Sequence, residues 1–261
     1  MPAMNFAHGA IILCLLPLAA LAGADVRYVR IPAGTFATAL AYEDRRGPVA
    51  IAAFEMMKRP VTNAQFLAFV KSQPDWRRDR APVVFAGPGY LAHWSQPQKL
   101  VSAEQGAEPV TRVSWFAAAA YCEAQGARLP RWTEWEYVAA ADAFRRDARR
   151  DAAWRERTLG WYARPSAQGL RNAGVQQPNA YGVADMHGVV WEWTDDFSAL
   201  LVSGDNREQG DPDRARFCGA GALSIDDREN YAVLMRVAML SSLQARDVTM
   251  NLGFRCVRDV P

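Results

Sequence analysis

Glu192 is flanked by Trp191 and Trp193, and that triplet constrains the chain more than any other stretch. In an extended segment alternate side chains point to opposite faces, so the two indoles share one face and the carboxylate takes the other. A carboxylate held between large aromatics is withdrawn from bulk water and needs hydrogen-bond donors, a cation or a proton. Asp185 lies seven residues upstream, and a turn at Gly188 would bring both carboxylates to one point. A hard cation such as calcium suits that arrangement, because it accepts carboxylates and backbone carbonyls in irregular geometry. The alternative is a buried Glu192 bonded to backbone amides, and spacing alone leaves both open.

Half of the 261 residues are hydrophobic and nine are Trp, which supplies a substantial core and excludes a disordered chain. Thirty basic residues against 28 acidic ones give a net charge of +2, with no electrostatic footprint for nucleic acid.

Residues 1–24 contain no Lys, Arg, Asp or Glu, and Ile11 to Ala22 form an apolar run ending in small residues. This pattern predicts a secretory signal peptide over 1–24, a periplasmic or secreted protein and no stable membrane anchor after cleavage. The folded part is then a single domain over 26–261. Losing Cys14 with the signal leaves Cys122, Cys218 and Cys256. An odd number in an oxidising compartment predicts one disulfide and one leftover thiol, and spacing does not say which pair is joined.

Alternation from Val26 to Pro32 predicts a strand, and a second is expected over Val49–Met56. Thr62 or Asn63 caps a helix that places Phe66, Phe69 and Val70 on one face. Residues 71–108 hold Trp76, Phe85, Tyr90 and Trp94 among Pro, Gly and Gln, the composition of a long ordered loop. Ser114 caps a second helix that stops at Gly126, and Thr133-Glu134-Trp135-Glu136 has the spacing of a capping box. The interleaved Asp and Arg of 142–158 predict a solvated helical face. Residues 200–217 are polar and loop-like. Short strands, brief helices and long irregular connections make this an α+β chain.

Six segments occur in an order that identifies a family. They are Pro60-Val61-Thr62-Asn63 with Phe66; Pro109-Val110-Thr111-Arg112-Val113-Ser114-Trp115; Ala120-Tyr121-Cys122 leading to Gly126-Ala127-Arg128-Leu129-Pro130; Thr133 to Tyr137; Asp185 to Trp193; and Asn251-Leu252-Gly253-Phe254-Arg255-Cys256. Together they resemble the formylglycine-generating enzyme, or sulfatase-modifying factor, family over nearly the whole mature chain. The resemblance implies one irregular domain of low secondary-structure content, distantly similar to C-type lectin domains. It also implies a Cys122–Cys256 disulfide. Calcium would be held by the Asp185 and Glu192 side chains and the Gly188 and Val190 carbonyls. A second disulfide of the family falls here on Ala139 and Val237, where packing is expected to replace it.

The family's chemistry carries over poorly. Its copper-dependent oxidases use two cysteines five apart, which would fall near Asp227 and on Ala232. Copper(I) requires soft thiolates, which neither residue supplies. Its iron-dependent sulfoxide synthases need three histidines, and only His93 and His187 remain after the signal. Cys218 is therefore the one weak catalytic candidate, either a reactive thiol with some affinity for copper or an inert buried one. Asp226, Asp227, Arg228 and Arg236 are groove candidates, and Arg236 is expected to pair with a carboxylate. Two classes of function remain. One is an accessory factor that binds a periplasmic protein or peptide during its maturation; Gly219–Leu223 and Tyr231–Leu243 are similar to members associated with copper nitrite reductase. The other is a lectin-like module binding a peptide or glycan without chemistry, beside a minor alternative of an unconventional oxidase built on Cys218.

Overall fold

Pro32 and Gly34 end the first strand, and Ala52 and Ala53 divide the stretch expected to be the second. The computed structural model describes residues 27–39, 48–163, 169–198 and 231–260. The first pieces are β1 (Tyr28–Ile31), β2 (Gly34–Phe36), β3 (Val49–Ile51) and β4 (Phe54–Met57). β3 pairs with β2 and β4 pairs with β1, both antiparallel, so one continuous strand over 49–56 would have to serve two sheets. The break between them corrects the single strand expected there.

Local capping chemistry fixes the helices. In α1 (Asn63–Ser72), the Thr62 side chain accepts from the Gln65 amide while the Gln65 side chain accepts from Thr62 N–H, a closed capping box. Phe66, Phe69 and Val70 are buried on one face, as their spacing predicts. The Ser114 side chain accepts from Ala117 N–H to start α2 (Trp115–Ala124), and Gly126 follows with φ +63. α3 (Trp132–Ala139) begins earlier than its sequence suggests. Glu134 reaches back to Arg131 N–H at 2.8 Å, so Thr133 lies inside the helix instead of capping it. The Asp196 side chain, from the segment after Trp193, accepts from Trp132 N–H at 2.8 Å and caps this helix from across the fold.

The charged run is helical only in part. α4 covers Ala152–Tyr162, whereas Asp142 to Asp151 are irregular. Asp142 accepts from the Phe144 and Arg145 amides, drawing them away from helical partners. Residues 71–108 form the long loop expected, held by two 3-10 turns and by buried Tyr90, Leu91 and Trp94.

The end of the chain closes the fold. α5 (Tyr231–Ser241) precedes β6 (Leu252–Gly253) and β7 (Val257–Asp259). β7 pairs antiparallel with β4, making a three-stranded sheet in the order β1-β4-β7. β5 (Trp191–Glu192) pairs parallel with β6, placing Trp191 against Leu252 and Glu192 against Gly253. Gly253 is required there, since a β-carbon would lie 2.4 Å from the Val110 carbonyl oxygen. Phe254 meets Phe66 and Tyr121 in the larger of two core clusters, while Trp135, Val138 and Met186 belong to the smaller. Cys122 and Cys256 are bonded, as the family resemblance implies. Ala139 and Val237 are both buried. No helix among the described residues is long and apolar enough to cross a membrane.

Candidate functional site

β5 delivers the Glu192 carboxylate into the interior, where it is fully buried. Arg255 meets it with Nε to Oε2 and Nη2 to Oε1, each at 2.8 Å, and the Trp135 indole donates to Oε2 at 2.9 Å. The rest of the Arg255 guanidinium donates to the carbonyls of Met57, Ala184 and Asp185 at 3.1 to 3.3 Å. Neither reading of Glu192 from spacing anticipated this partner. A charged residue between apolar neighbours in Gly253-Phe254-Arg255-Cys256 was the available signal, because an arginine with no exposed surface needs a counterion.

Arg236 is buried, and among the described residues it makes no ion pair. Its Nη2 donates to the Glu192 carbonyl, and its guanidinium lies 3.6 Å from the centroid of the Trp135 ring. Burial lowers its pKa to about 10, so it remains a cation at neutral pH.

Asp185 lies at the edge of this cluster with φ +59, and its carboxylate accepts from the Gly174 and Gln176 amides. Burial raises its pKa, and the nearby charge of Glu192 acts in the same direction. No Lys or Arg among the described residues forms an ion pair with it. Asp185 is thus a buried carboxylate short of positive charge, which fits a cation. Glu192 Oε1 keeps a lone pair beyond its Arg255 contact. Asp185 is the residue here with the chemistry to help hold a hard cation; Glu192 and the Gly188 and Val190 carbonyls are the ligands the family resemblance adds to it. Among the described residues no group of three or more His, Cys, Asp or Glu could hold a metal ion.

His187 forms one wall. Its Nε2 lies 2.9 Å from the Ala139 carbonyl and therefore carries the proton, leaving Nδ1 facing the Tyr162 hydroxyl at 3.5 Å. The rings of Trp135 and Trp154 lie 5.7 Å away, edge to face. Burial lowers its pKa to about 4, and Arg236 and Arg255 add to the effect, so the imidazole is neutral at pH 7. A recess beside it is lined by Trp154, Trp161, Arg171, Gln176 and Asp185.

A family model described as the sulfatase-modifying factor enzyme 1-like domain matches residues 22–260. The chain belongs to the sulfatase-modifying factor family. The formylglycine-generating enzyme of Streptomyces coelicolor is 32% identical over 285 residues, covering 88% of each chain. The inactive Cα-formylglycine-generating enzyme 2 of Bos taurus is 27% identical over 277 residues, covering 90% of this chain and 88% of its own. The solved structure of PvdO from Pseudomonas aeruginosa aligns with TM-score 0.48 and 16% identity over 89% of this chain and 94% of that one.

In this sulfatase-modifying factor the sequence-predicted residues divide in two. Glu192 and Arg236 meet at Trp135, Asp185 and Gly188 line the recess beside His187, and Val190 is buried next to β5. Cys218, Asp226, Asp227 and Arg228 lie outside the described residues. The assembled cluster is a brace: it neutralises and orients buried charge, and the neutral His187 beside it has one nitrogen committed to a carbonyl.

Proposed function

We propose that this protein is an exported, atypical sulfatase-modifying factor that binds a protein or peptide partner during that partner's maturation and makes no formylglycine through a cysteine pair. The observation that carries this reading is the fate of its cysteines. Cys122 and Cys256 are joined to each other, which leaves Cys218 as the one thiol after the uncharged leader. Two thiolates are needed to hold copper(I) in a linear or near-linear site, and one chain offers one. Export is supported by the apolar, uncharged residues 1–24, and a bound calcium ion by the buried Asp185 carboxylate, which has no ion pair among the described residues. Asp185 and Glu192 would help to hold such an ion, which would supply positive charge to the segment leading into β5.

Copper(I) titration of the mature protein, with Cys218→Ala alongside, tests the reading together with incubation of a cysteine-containing sulfatase peptide. No formylglycine and no thiol-dependent copper site are expected. A stoichiometric copper(I) site lost in Cys218→Ala, with aldehyde formed on the peptide, would replace it with an oxidase built on Cys218.

A further inference from the structure

The irregular Arg and Asp run between α3 and α4 is not absorbed by the brace around Glu192. It lines a separate recess of about 690 Å³ whose other wall is β2 and the residues after it. Arg146, Arg149 and Arg150 face this recess with Asp147, so three guanidiniums stand against one carboxylate.

The three arginines are not equivalent. Arg149 is a fixed part of the wall. It grips Asp147 with Nε to Oδ1 at 3.0 Å and Nη2 to Oδ2 at 2.8 Å, donates from Nη1 to the Ala37 carbonyl at 2.7 Å, and covers the Phe36 ring at 4.3 Å. Asp147 is thereby consumed. Arg146 and Arg150 are exposed, and no carboxylate among the described residues pairs with either. Arg146 is held over the Tyr181 ring, 5.5 Å from its centroid, with its N–H groups left to other acceptors.

Tyr181 supplies an independent sign of a ligand. Its side chain lines the same recess and the residue is only 6% exposed, yet among the described residues its hydroxyl has no partner in good hydrogen-bond geometry. The neighbouring Tyr137 ring lies 5.3 Å away at a 48° tilt, and its hydroxyl is close enough to interact with that of Tyr181. A buried hydroxyl left unsatisfied loses its hydration without return, and a bound acceptor would restore a hydrogen bond to it. Burial raises the Tyr181 pKa, with Tyr137 adding to it, so this hydroxyl keeps its proton and serves as a donor.

We infer that this recess is an anion subsite for a tetrahedral oxyanion, sulfate or phosphate, free or as the ester of a small organic body, bound by Arg146, Arg150 and the Tyr181 hydroxyl. Guanidinium groups suit such oxyanions because each presents parallel N–H donors to two oxygens. The hydroxyl takes a third oxygen from the buried side. Phe36 and Tyr137 give the organic body an apolar wall, and the volume exceeds that of the bare ion several-fold. Asp147 is kept from repelling the anion because Arg149 engages both of its oxygens.

The test is calorimetric titration of the mature protein with inorganic sulfate and, separately, inorganic phosphate, each at constant ionic strength in chloride. Saturable binding is expected, weakened at least tenfold in the Arg146→Ala/Arg150→Ala double variant and about threefold or more in Tyr181→Phe, which keeps the ring. Arg80→Ala, an exposed arginine elsewhere, should bind as the parent does. A sugar sulfate and the matching sugar phosphate then distinguish the two sources, and tighter binding of one ester than of its free ion identifies the ligand. Non-saturable heats, or equal affinity in the parent and the double variant, overturn the assignment. Because both arginines are exposed, an unchanged melting temperature in the double variant shows that lost binding is not lost folding.

Discussion

Arg255 and Glu192 lie 63 residues apart in sequence and meet through two parallel hydrogen bonds of 2.8 Å, with no solvent contact on either side chain. Removing one partner leaves a buried charge uncompensated. Glu192→Gln should cost about 3–5 kcal/mol in urea unfolding. The double variant Glu192→Leu/Arg255→Met should be less destabilised than the sum of its single changes by about 2 kcal/mol, within the range seen for residues that touch. Additive single changes would show that the pair contributes nothing as a pair.

Calcium is best tested at Asp185, since any change at Glu192 also breaks its pairing with Arg255. Saturating calcium at a hundredfold excess over Kd should stabilise the protein by about 2.7 kcal/mol relative to chelator, a rise in Tm of roughly 5–10 °C. In Asp185→Ala the calcium-dependent increment should vanish, whatever happens to Tm itself. Identical melting curves with calcium and with chelator would remove the ion from the proposal.

His187 predicts an acid limit. Its folded pKa of about 4 lies below the ordinary imidazole value of 6.5, so the unfolded chain takes up its proton first. The stability contributed by the neutral ring is complete above pH 6.5 and is lost as pH falls towards 4. At about 1.4 kcal/mol per pH unit the loss approaches about 3 kcal/mol. Asp185, with its raised pKa, acts in the opposite sense near the lower end of that window. The measurable quantity is therefore the difference between parent and His187→Asn across the window, which should narrow steadily as pH drops. A constant difference would place the folded pKa near its ordinary value.

Gly253 and Gly126 separate steric need from conformational need. Gly253→Ala drives a methyl to 2.4 Å from the backbone oxygen of Val110 and should cost about 3 kcal/mol or more, the upper range for overpacking. Gly126 has φ +63 but open space around the missing β-carbon, so Gly126→Ala should cost only about 1 kcal/mol. Comparable Tm losses in the two variants would contradict this ranking.

What the sequence made legible is mostly local. Thr62 with Gln65 and Ser114 with Ala117 are capping contacts three residues apart, and they form where their residue types place them. The apolar face of α1 is likewise a matter of helical spacing. The failures are non-local or competitive. Asp196 caps α3 from 64 residues away and moves its start to Trp132, which no window around Thr133 can reveal. Asp142 diverts two amides, so a run with helical charge spacing stays irregular until Ala152. At the site, the spacing of Asp185 and Glu192 shows that charge is buried there but does not show that Arg255 neutralises half of it. The family resemblance supplied the Cys122–Cys256 pairing, which spacing left open.

The parallel register of β5 with β6 joins two closures into one. Among the described residues, the partners that Glu192 has after β5 are Arg236, Arg255 and the strand edge at Gly253. Cys256, which completes the disulfide, is the neighbour of Arg255. Until that segment docks, the charge at the centre of the core is uncancelled and Cys122 has no sulfur to join. Sealing the interior and sealing the disulfide are therefore a single event.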